Sequence, residues 1–141
     1  MAKESGMGWT TMSVKDSGGT LRAIINDVTN LSISTPRGVQ DVTGIDKSAM
    51  ERLLLLADMS LTLNGVFNDD NTGADVHAVF KTVPSSSVAR EFTITVSGQT
   101  LGTTNTPKLL FTDYSLSRGQ DGSLTFAAPG VLANGAVPQW S

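Results

Sequence analysis

Chemistry in this chain would have to come from a single histidine and a short acidic stretch. His77 is the only histidine among 141 residues, and there is no cysteine. A zinc site with two histidine ligands is therefore impossible within one chain. A Ser-His-Asp triad would need His77 beside an activated serine, but no Gly-x-Ser-x-Gly turn is present to expose one. We interpret His77 as a packed or solvated helix residue and expect no catalytic residue.

The acidic stretch at residues 69–75 offers oxygen ligands of the kind that Ca²⁺ prefers. Asp69 and Asn71 fit the first two ligand positions of an EF-type loop, but its fifth position is Gly73 and its twelfth is Phe80. A turn followed by a helix cap explains the same residues without a metal, because carboxylates stabilise helix N-termini. We expect no metal site. The weak calcium candidates are Asp69, Asn71 and Asp75.

Phosphate and nucleic-acid binding have little support in the sequence. Neither G-x-x-x-x-G-K-[ST] nor G-x-G-x-x-G occurs, so no phosphate-binding loop is indicated. Ten Lys and Arg stand against 13 Asp and Glu, which gives a net charge of −3 and a pI of about 4.9. The cations are scattered singly, whereas tight DNA binding needs them clustered. We therefore expect a protein that is not an enzyme, has no cofactor and does not grip DNA.

Length and hydropathy predict a single domain over residues 1–141. Hydrophobic residues make up 39% of the chain and the mean hydropathy is near zero. No apolar run reaches about 20 residues, so no membrane insertion is expected. The first residues, MAKESGMGW, lack the apolar region of a secretory signal. Within the domain we expect an N-terminal arm at 1–8, a loop arm at 36–57 and an extended C-terminal segment at 129–141.

Period-two alternation of apolar and Ser/Thr residues dominates the rest of the chain. It predicts six to eight short strands, near residues 12–14, 21–25, 31–33, 59–63, 92–96, 110–116 and 124–126. Two turns, Ser17–Gly19 and Arg118–Gly122, predict hairpins. Each strand has one apolar face, which is typical of an antiparallel sheet with one buried side. The fold class predicted is mainly β: an antiparallel β-sandwich or barrel.

Two segments have helical features. Val76, Val79 and Phe80 form a one-sided stripe after a cap-like Asp75, which predicts a flanking α-helix at about 74–82. Ser48 and Glu51 match a capping box, which favours a short helix inside the long loop at about 36–57. That loop ends in four consecutive leucines, Leu53–Leu56. Long loops in compact domains usually serve a function.

Assembly is the function class that these features favour. An antiparallel sheet exposes its edges unless something covers them, and only 16% of residues are charged. Strands can then join across subunits through main-chain hydrogen bonds. A head-to-tail contact of that kind closes into a ring if its rotation allows. The loop arm and the C-terminal segment would reach the neighbour.

A set of short segments follows in a characteristic order along most of the chain: Gly8-Trp9, Ile25–Thr29, Asp41–Gly44, Leu56–Leu61, Asp75–Phe80, Tyr114–Ser117 and Val131–Pro138. In the order and spacing of these segments, the chain resembles bacteriophage major tail proteins, the tube subunits of long non-contractile tails. The resemblance implies a fold shared with type VI secretion tube proteins. It also implies stacked hexameric rings that form a hollow tube in the virion tail, assembled in the bacterial host cytoplasm. DNA would pass through this tube without specific binding. The implied partners are further copies of the chain and the tape measure, tail terminator and distal tail proteins.

Two sets of residues are candidates for roles in such a tube. Candidates for contact between subunits are Arg37, Val39, Val42, Ile45, Leu53, Leu55, Val131, Leu132 and Trp140. Candidates for the lumen wall are Asp58, Ser60, Thr62, Glu91, Thr93 and Thr95. The leucines could instead fill the subunit's own core, and the Ser/Thr faces could be the solvent side of a sandwich. A second function also fits the strand pattern: a virion or adhesion module that binds a receptor or glycan.

Overall fold

A computed structural model describes residues 6–69 and 75–141. These residues form mainly strands, which turns and loops connect. A short 3-10 helix at Gly6–Gly8 precedes the first strand, and a single α-helix, α1, spans Val76–Phe80. The strands are β1 (Trp9–Lys15), β2 (Leu21–Ala23), β3 (Val28–Ser34), β4 (Arg37–Asp41), β5 (Arg52–Ala57), β6 (Ser60–Val66), β7 (Arg90–Val96), β8 (Gln99–Leu101), β9 (Lys108–Phe111), β10 (Ser115–Arg118) and β11 (Leu124–Leu132). In these ranges no helix is long and apolar enough to cross a bilayer.

Nine strands form one antiparallel sheet in the order β2-β1-β7-β9-β11-β6-β3, with β8 paired to β7 and β10 to β11. The predicted mainly antiparallel fold is confirmed, as are the two hairpins, β1–β2 and β10–β11. The sheet does not close into a barrel, because β2 and β3 stand at the two ends of its path. Strands β4 and β5 pair only with each other and form a separate ribbon.

The core lies on one side of the folded sheet. Leu61 and Leu63 of β6 are fully buried, as is Ile94 of β7, while Phe92 is 1% exposed. The residues between them on each strand face outward, as the period of a strand requires. Strands from both ends of the sheet contribute to a single apolar cluster. Each fully buried side chain of this size stabilises the fold by about 1.5–3 kcal/mol.

Helix α1 packs on this core through Val76, Val79 and Phe80, which are all fully buried. Asp75 is its N-cap residue and accepts a hydrogen bond from the Ala78 N–H at 3.3 Å. The helix is shorter than the predicted 74–82. Turns follow Phe80 at once, and residue 74 lies outside the described ranges. The Phe80 ring lies 4.8 Å from that of Phe111, which anchors the helix over β9.

The predicted short helix in the loop at about 36–57, opened by the capping box of Ser48 and Glu51, is wrong, because residues 37–57 form a β-hairpin. The Glu51 N–H, which a capping box would use, instead donates to the Thr43 hydroxyl oxygen at 2.8 Å. The Glu51 carbonyl accepts the Val42 N–H at 3.0 Å. Both backbone groups of Glu51 therefore bond across the hairpin, to Thr43 and Val42, which follow β4. The leucine run that follows is β5, in register with β4.

The C-terminal segment is only partly the extended, unpaired tail that the sequence predicts. Residues 129–132 continue β11, which pairs with β6 through Val131. Pro129 does not disrupt the pairing of β11 with β6. Its carbonyl points away from β6 and accepts the Thr112 N–H, in the break between β9 and β10. The N–H and the carbonyl of one residue in an antiparallel strand point to the same side, so the N–H that proline lacks would not have bonded to β6. The break also divides the single strand predicted at 110–116 into β9 and β10.

Candidate assembly surfaces

The leucine hairpin, which we define as residues 37–57, projects from the main sheet as an ordered ribbon. Val39 pairs with Leu54 and Gln40 with Leu53. At its base the Arg37 Nε donates to the Leu55 carbonyl at 2.8 Å. The Asp58 N–H donates to the Pro36 carbonyl at 3.0 Å, which closes the ribbon where it joins the sheet. The hairpin therefore leaves the sheet at a defined point.

Side-chain hydrogen bonds also hold the far end of the hairpin. The Thr43 hydroxyl donates to the Asp41 carboxylate at 2.6 Å, and the Thr43 N–H donates to the same oxygen at 2.9 Å. These bonds hold the pKa of Asp41 below its ordinary value. Lys47 lies 3.6 Å from Glu51 across the tip. Because the tip is already ordered, docking it on a partner costs less conformational entropy.

Both faces of the leucine hairpin are apolar and exposed. Successive side chains of a strand point to opposite faces, so Leu53 and Leu55 lie on one face and Leu54 and Leu56 on the other. Their exposed fractions are 55%, 44%, 59% and 90% in that order. None of the four belongs to the apolar core of the chain. The alternative that they fill the subunit's own core is therefore wrong for the isolated chain. Further exposed apolar residues on the hairpin are Val39, Val42, Ile45 and Met50.

Six of the contact candidates lie on this hairpin, and the other three lie elsewhere. Val131 is 44% exposed on the outward face of β11, while Leu132 turns inward and packs against the core. Trp140 is 45% exposed, and its backbone pairs with Leu101 of the same chain. These three residues are therefore separate from the hairpin surface.

The lumen candidates divide into two groups on the outward face of the main sheet. Ser60 and Thr62 belong to β6, whereas Glu91, Thr93 and Thr95 belong to β7. Strands β11 and β9 lie between β6 and β7. Asp58 is exposed just before β6, where its carboxylate accepts the Met59 N–H at 2.8 Å. The structure therefore keeps the two groups apart.

The two groups differ in their electrostatic surroundings. Strands β3, β6 and β11 are neighbours and contain no charged residue. Across their outward face, Thr62 pairs with both Ser32 and Pro129. On β7, by contrast, Glu91 forms an ion pair with Lys15, and the hydrogen bond from Lys15 lowers the pKa of Glu91. The β3-β6-β11 face is therefore an uncharged surface that combines small polar groups with apolar residues such as Pro129 and Val131.

The weak calcium candidates do not form a metal site in the described residues. Asp75 is fully buried and caps α1, Asp69 is exposed, and Asn71 lies outside those residues. No group of three or more His, Asp or Glu side chains in residues 6–69 and 75–141 is arranged to hold a metal. Asp75 therefore acts as the helix cap that the metal-free interpretation predicts.

His77 is packed against aromatic rings. Its Nδ1 lies 3.3 Å from the Tyr114 hydroxyl, and its ring centroid lies 5.1 Å from that of Phe67. Burial raises the pKa of Tyr114 to about 12, and the nearby Asp75 and Asp69 charges add to this shift. His77 therefore contributes to packing, as the sequence predicts.

The structure contains an apolar groove at the open end of the sheet, which the sequence does not predict. The seam groove, as we call it, has a volume of about 280 Å³ and is lined by Trp9, Met12, Ile25, Val28, Thr29, Asn30 and Leu31. It lies between β1 and β3. Strand β2 covers only Ser13–Lys15 of β1, so the sheet stays open beside Trp9. One signal was present in the sequence: Ile25, 37% exposed, is an apolar residue in a turn.

Comparison with known proteins finds similarity at the level of structure. No family model and no curated protein sequence matches the chain. Among solved structures, a chain from the virion of a native gene transfer agent particle matches with a TM-score of 0.67, 15% identity and 99% of each chain covered. A chain from the tail of an empty gene transfer agent particle, refined with C6 symmetry, matches with a TM-score of 0.66, 13% identity and 99% of each chain covered. The fold predicted from the resemblance to phage tail tube proteins is thereby confirmed, and this chain has the fold of chains found in a gene transfer agent virion and tail.

Proposed function

We propose that this protein is a structural subunit of a phage-like tail, whose copies assemble into a hollow tube. The observation that carries this proposal is the leucine hairpin, which exposes four leucines on two faces. Large exposed apolar patches on soluble proteins mark interaction sites. Covering a ribbon with two apolar faces removes apolar area from water, which favours association. Contact with further copies of the chain supplies that cover.

We further propose that six copies form a ring and that rings stack. The similar gene transfer agent tail has C6 symmetry, which supports this number. Strand β3 stands at one end of the sheet and contains no charge and no proline. Such an edge lacks the features that usually block pairing with another chain. A head-to-tail contact through it closes into a ring when its rotation is one sixth of a turn.

The outward face of β3, β6 and β11 is our proposed lumen wall, with Ser60 and Thr62 on it. Its neutrality supports this assignment over the β7 group, since DNA would otherwise meet the charged Lys15 and Glu91. Cations on the wall would bind phosphate and slow the passage of DNA. The wall proposed here offers small polar groups, with Pro129 and Val131 interspersed among them, and no charged group. Glu91, Thr93 and Thr95 then lie nearer the outside of the tube.

The remaining parts of the proposal concern place and partners. The tube belongs to the virion tail and is assembled in the cytoplasm of the bacterial host. Its ends meet the tail terminator and distal tail proteins, and its lumen holds the tape measure protein before DNA passes. The protein has a structural role, and none of the contacts proposed here involves catalysis.

Electron microscopy of the purified chain tests this proposal. We expect negatively stained samples to contain rings or hollow tubes with sixfold symmetry, and sedimentation to show large species above a threshold concentration. Leu54→Asp should prevent assembly while the folded monomer remains, because it places a charge on the exposed hairpin face. A wild-type chain that stays monomeric at every concentration and salt condition would overturn the proposal.

A further inference from the structure

Strand β3 lies between two apolar surfaces that the described part of the chain leaves exposed. The seam groove involves its first half, from Val28 to Leu31. The leucine hairpin begins at Arg37, just after β3 ends at Ser34. A seven-residue strand is roughly 20 Å long, so the two surfaces lie near opposite ends of one rigid element. One surface projects and the other is concave.

The two surfaces match in chemistry and size. The groove is lined mainly by apolar side chains, with Trp9, Ile25 and Leu31 among them. Leu54 and Leu56 are the more exposed pair on the hairpin, at 59% and 90%. An apolar cavity of about 150 Å³ already accepts a molecule the size of benzene. A groove of about 280 Å³ therefore has room for two leucine side chains.

We propose that the seam groove of one copy binds the leucine hairpin of a second copy, with Leu54 and Leu56 in the groove. This inference rests on the proposed function and identifies the acceptor for the hairpin. Each copy offers one hairpin and one groove, so a single kind of contact uses both and repeats without limit. Because the two surfaces lie near opposite ends of β3, the copies stack head to tail along the direction of that strand.

Backbone geometry at the groove also suits an incoming ribbon. In the described part of the chain, β3 pairs only with β6, and Trp9–Thr11 pairs only with β7. The free side of Trp9–Thr11 borders the seam. A strand that enters there can form main-chain hydrogen bonds with Trp9–Thr11 as well as apolar contacts, and the free edge of β3 remains for the contact within a ring. The hairpin of the same chain does not fill the seam, since its leucines remain exposed.

Disulfide trapping tests this contact directly, because the natural chain contains no cysteine. The variant Ile25→Cys/Leu56→Cys is assembled, oxidised mildly and separated on a denaturing gel without reductant. A disulfide requires Cβ atoms within about 4.5 Å, so only a true contact is trapped. We expect a ladder of covalent multimers. The matched control is Leu21→Cys/Leu56→Cys, since Leu21 is 48% exposed on β2 outside both surfaces, and we expect it to remain monomeric.

Other products of the same experiment would overturn the proposal. A cross-linked monomer would mean that the hairpin folds back on its own groove. A dimer formed by Leu56→Cys alone would mean that two hairpins meet each other. Wild-type tubes without a ladder from the double variant would reject the groove and leave the proposed function intact. A wild-type chain that never assembles would reject both.

Charge substitution provides a second measurement. Ile25→Asp and Leu56→Asp should each raise the threshold concentration for assembly by roughly tenfold or more, since each places a carboxylate in a closed apolar contact. Leu21→Asp serves as the control and should leave the threshold within about twofold. Urea denaturation checks that all three variants keep the wild-type midpoint. Equal effects of Ile25→Asp and Leu21→Asp on the threshold would contradict a specific role for the groove.

Discussion

Arg90 is the most unusual single residue in the fold, because its guanidinium group is buried and no carboxylate of residues 6–69 and 75–141 lies at ion-pair distance from it. The residue is 2% exposed and donates to the carbonyls of Lys15 and Val79, at 3.1 and 2.6 Å, and to the Thr82 hydroxyl. Burial lowers its pKa, but an arginine keeps its charge in proteins. Its position beside the last turn of α1 suits a cation, since carbonyls point outward there. Arg90 thereby ties the helix to β1.

Replacement of Arg90 by methionine should reveal the value of these bonds. Arg90→Met keeps much of the volume but removes the guanidinium donor from the buried Val79 carbonyl and the part-buried Lys15 carbonyl, which should lower the free energy of unfolding by about 2–4 kcal/mol. Urea denaturation of the monomer measures the change. The exposed Arg118 is the matched control, and Arg118→Met should cost less than about 0.5 kcal/mol. Similar losses in the two variants would show that the bonds to Lys15 and Val79 contribute little.

Tyr114 should make the fold sensitive to alkaline pH. Its folded pKa of about 12 lies above the ordinary tyrosine pKa of 10.0, so the folded state holds this proton more tightly than the unfolded state does. The stabilisation is complete below pH 10 and is lost as the pH rises towards 12. Over that window Tyr114→Phe should retain about 1–2 kcal/mol more of its stability than the wild type does.

A direct titration complements that comparison. Tyr114 is the only tyrosine in the chain, so the ultraviolet absorbance of tyrosinate reports its ionisation alone. We expect a midpoint well above that of a free tyrosine. An ordinary midpoint, or equal alkaline losses in wild type and Tyr114→Phe, would show that its burial has no electrostatic effect.

Among the elements, the leucine hairpin has the clearest consequence for stability. Leu53 is 55% exposed on β5, whereas Leu61 is fully buried on β6. Leu53→Ala should therefore change the free energy of unfolding of the monomer by less than about 0.5 kcal/mol. Leu61→Ala, the matched control, should cost about 2–5 kcal/mol because it leaves a cavity. Thermal denaturation below the assembly threshold distinguishes them, and a large loss in Leu53→Ala would place that side chain in the core.

Prediction from sequence succeeds for elements whose pattern has one explanation. Met59, Leu61 and Leu63 alternate with polar residues, and only a half-buried strand explains that period. Leu53–Leu56 has no period, and a short apolar run fits a helix or a strand equally well. The run becomes a strand because it pairs with β4. That pairing depends on contacts such as that between Thr43 and Glu51, which the local sequence pattern does not encode. For the same reason the seam groove, which brings Trp9 close to Leu31, could not be predicted.

At the scale of the whole molecule, the net charge is low and three neighbouring strands of the main sheet carry no charge. The chain has a net charge of −3, yet β3, β6 and β11 contain no charge and the hairpin exposes leucine on both sides. Repulsion between like-charged copies is weak at this net charge. Assembly should therefore depend on apolar burial, with electrostatics as a minor opposing term.

The response of assembly to salt and temperature follows from that balance. Adding salt screens repulsion between copies and does not weaken apolar contacts, so the threshold concentration should stay constant or fall. Cooling weakens hydrophobic association and should raise the threshold. Pelleting of tubes over a range of ionic strength and temperature measures both trends. A threshold that rises with salt would instead indicate ion pairs as the main contacts.

The leucines exposed on both faces of the leucine hairpin also affect the solubility of the unassembled chain. Strongly apolar strands with little charge and no proline are prone to aggregate when exposed, and Leu53–Leu56 in β5 has these features. Arg52 and Asp58 flank the run as charged residues, but they do not cover it. The assembly proposed above and non-specific aggregation therefore compete for the same surface. We expect a purified monomer to be most soluble when the hairpin is shortened.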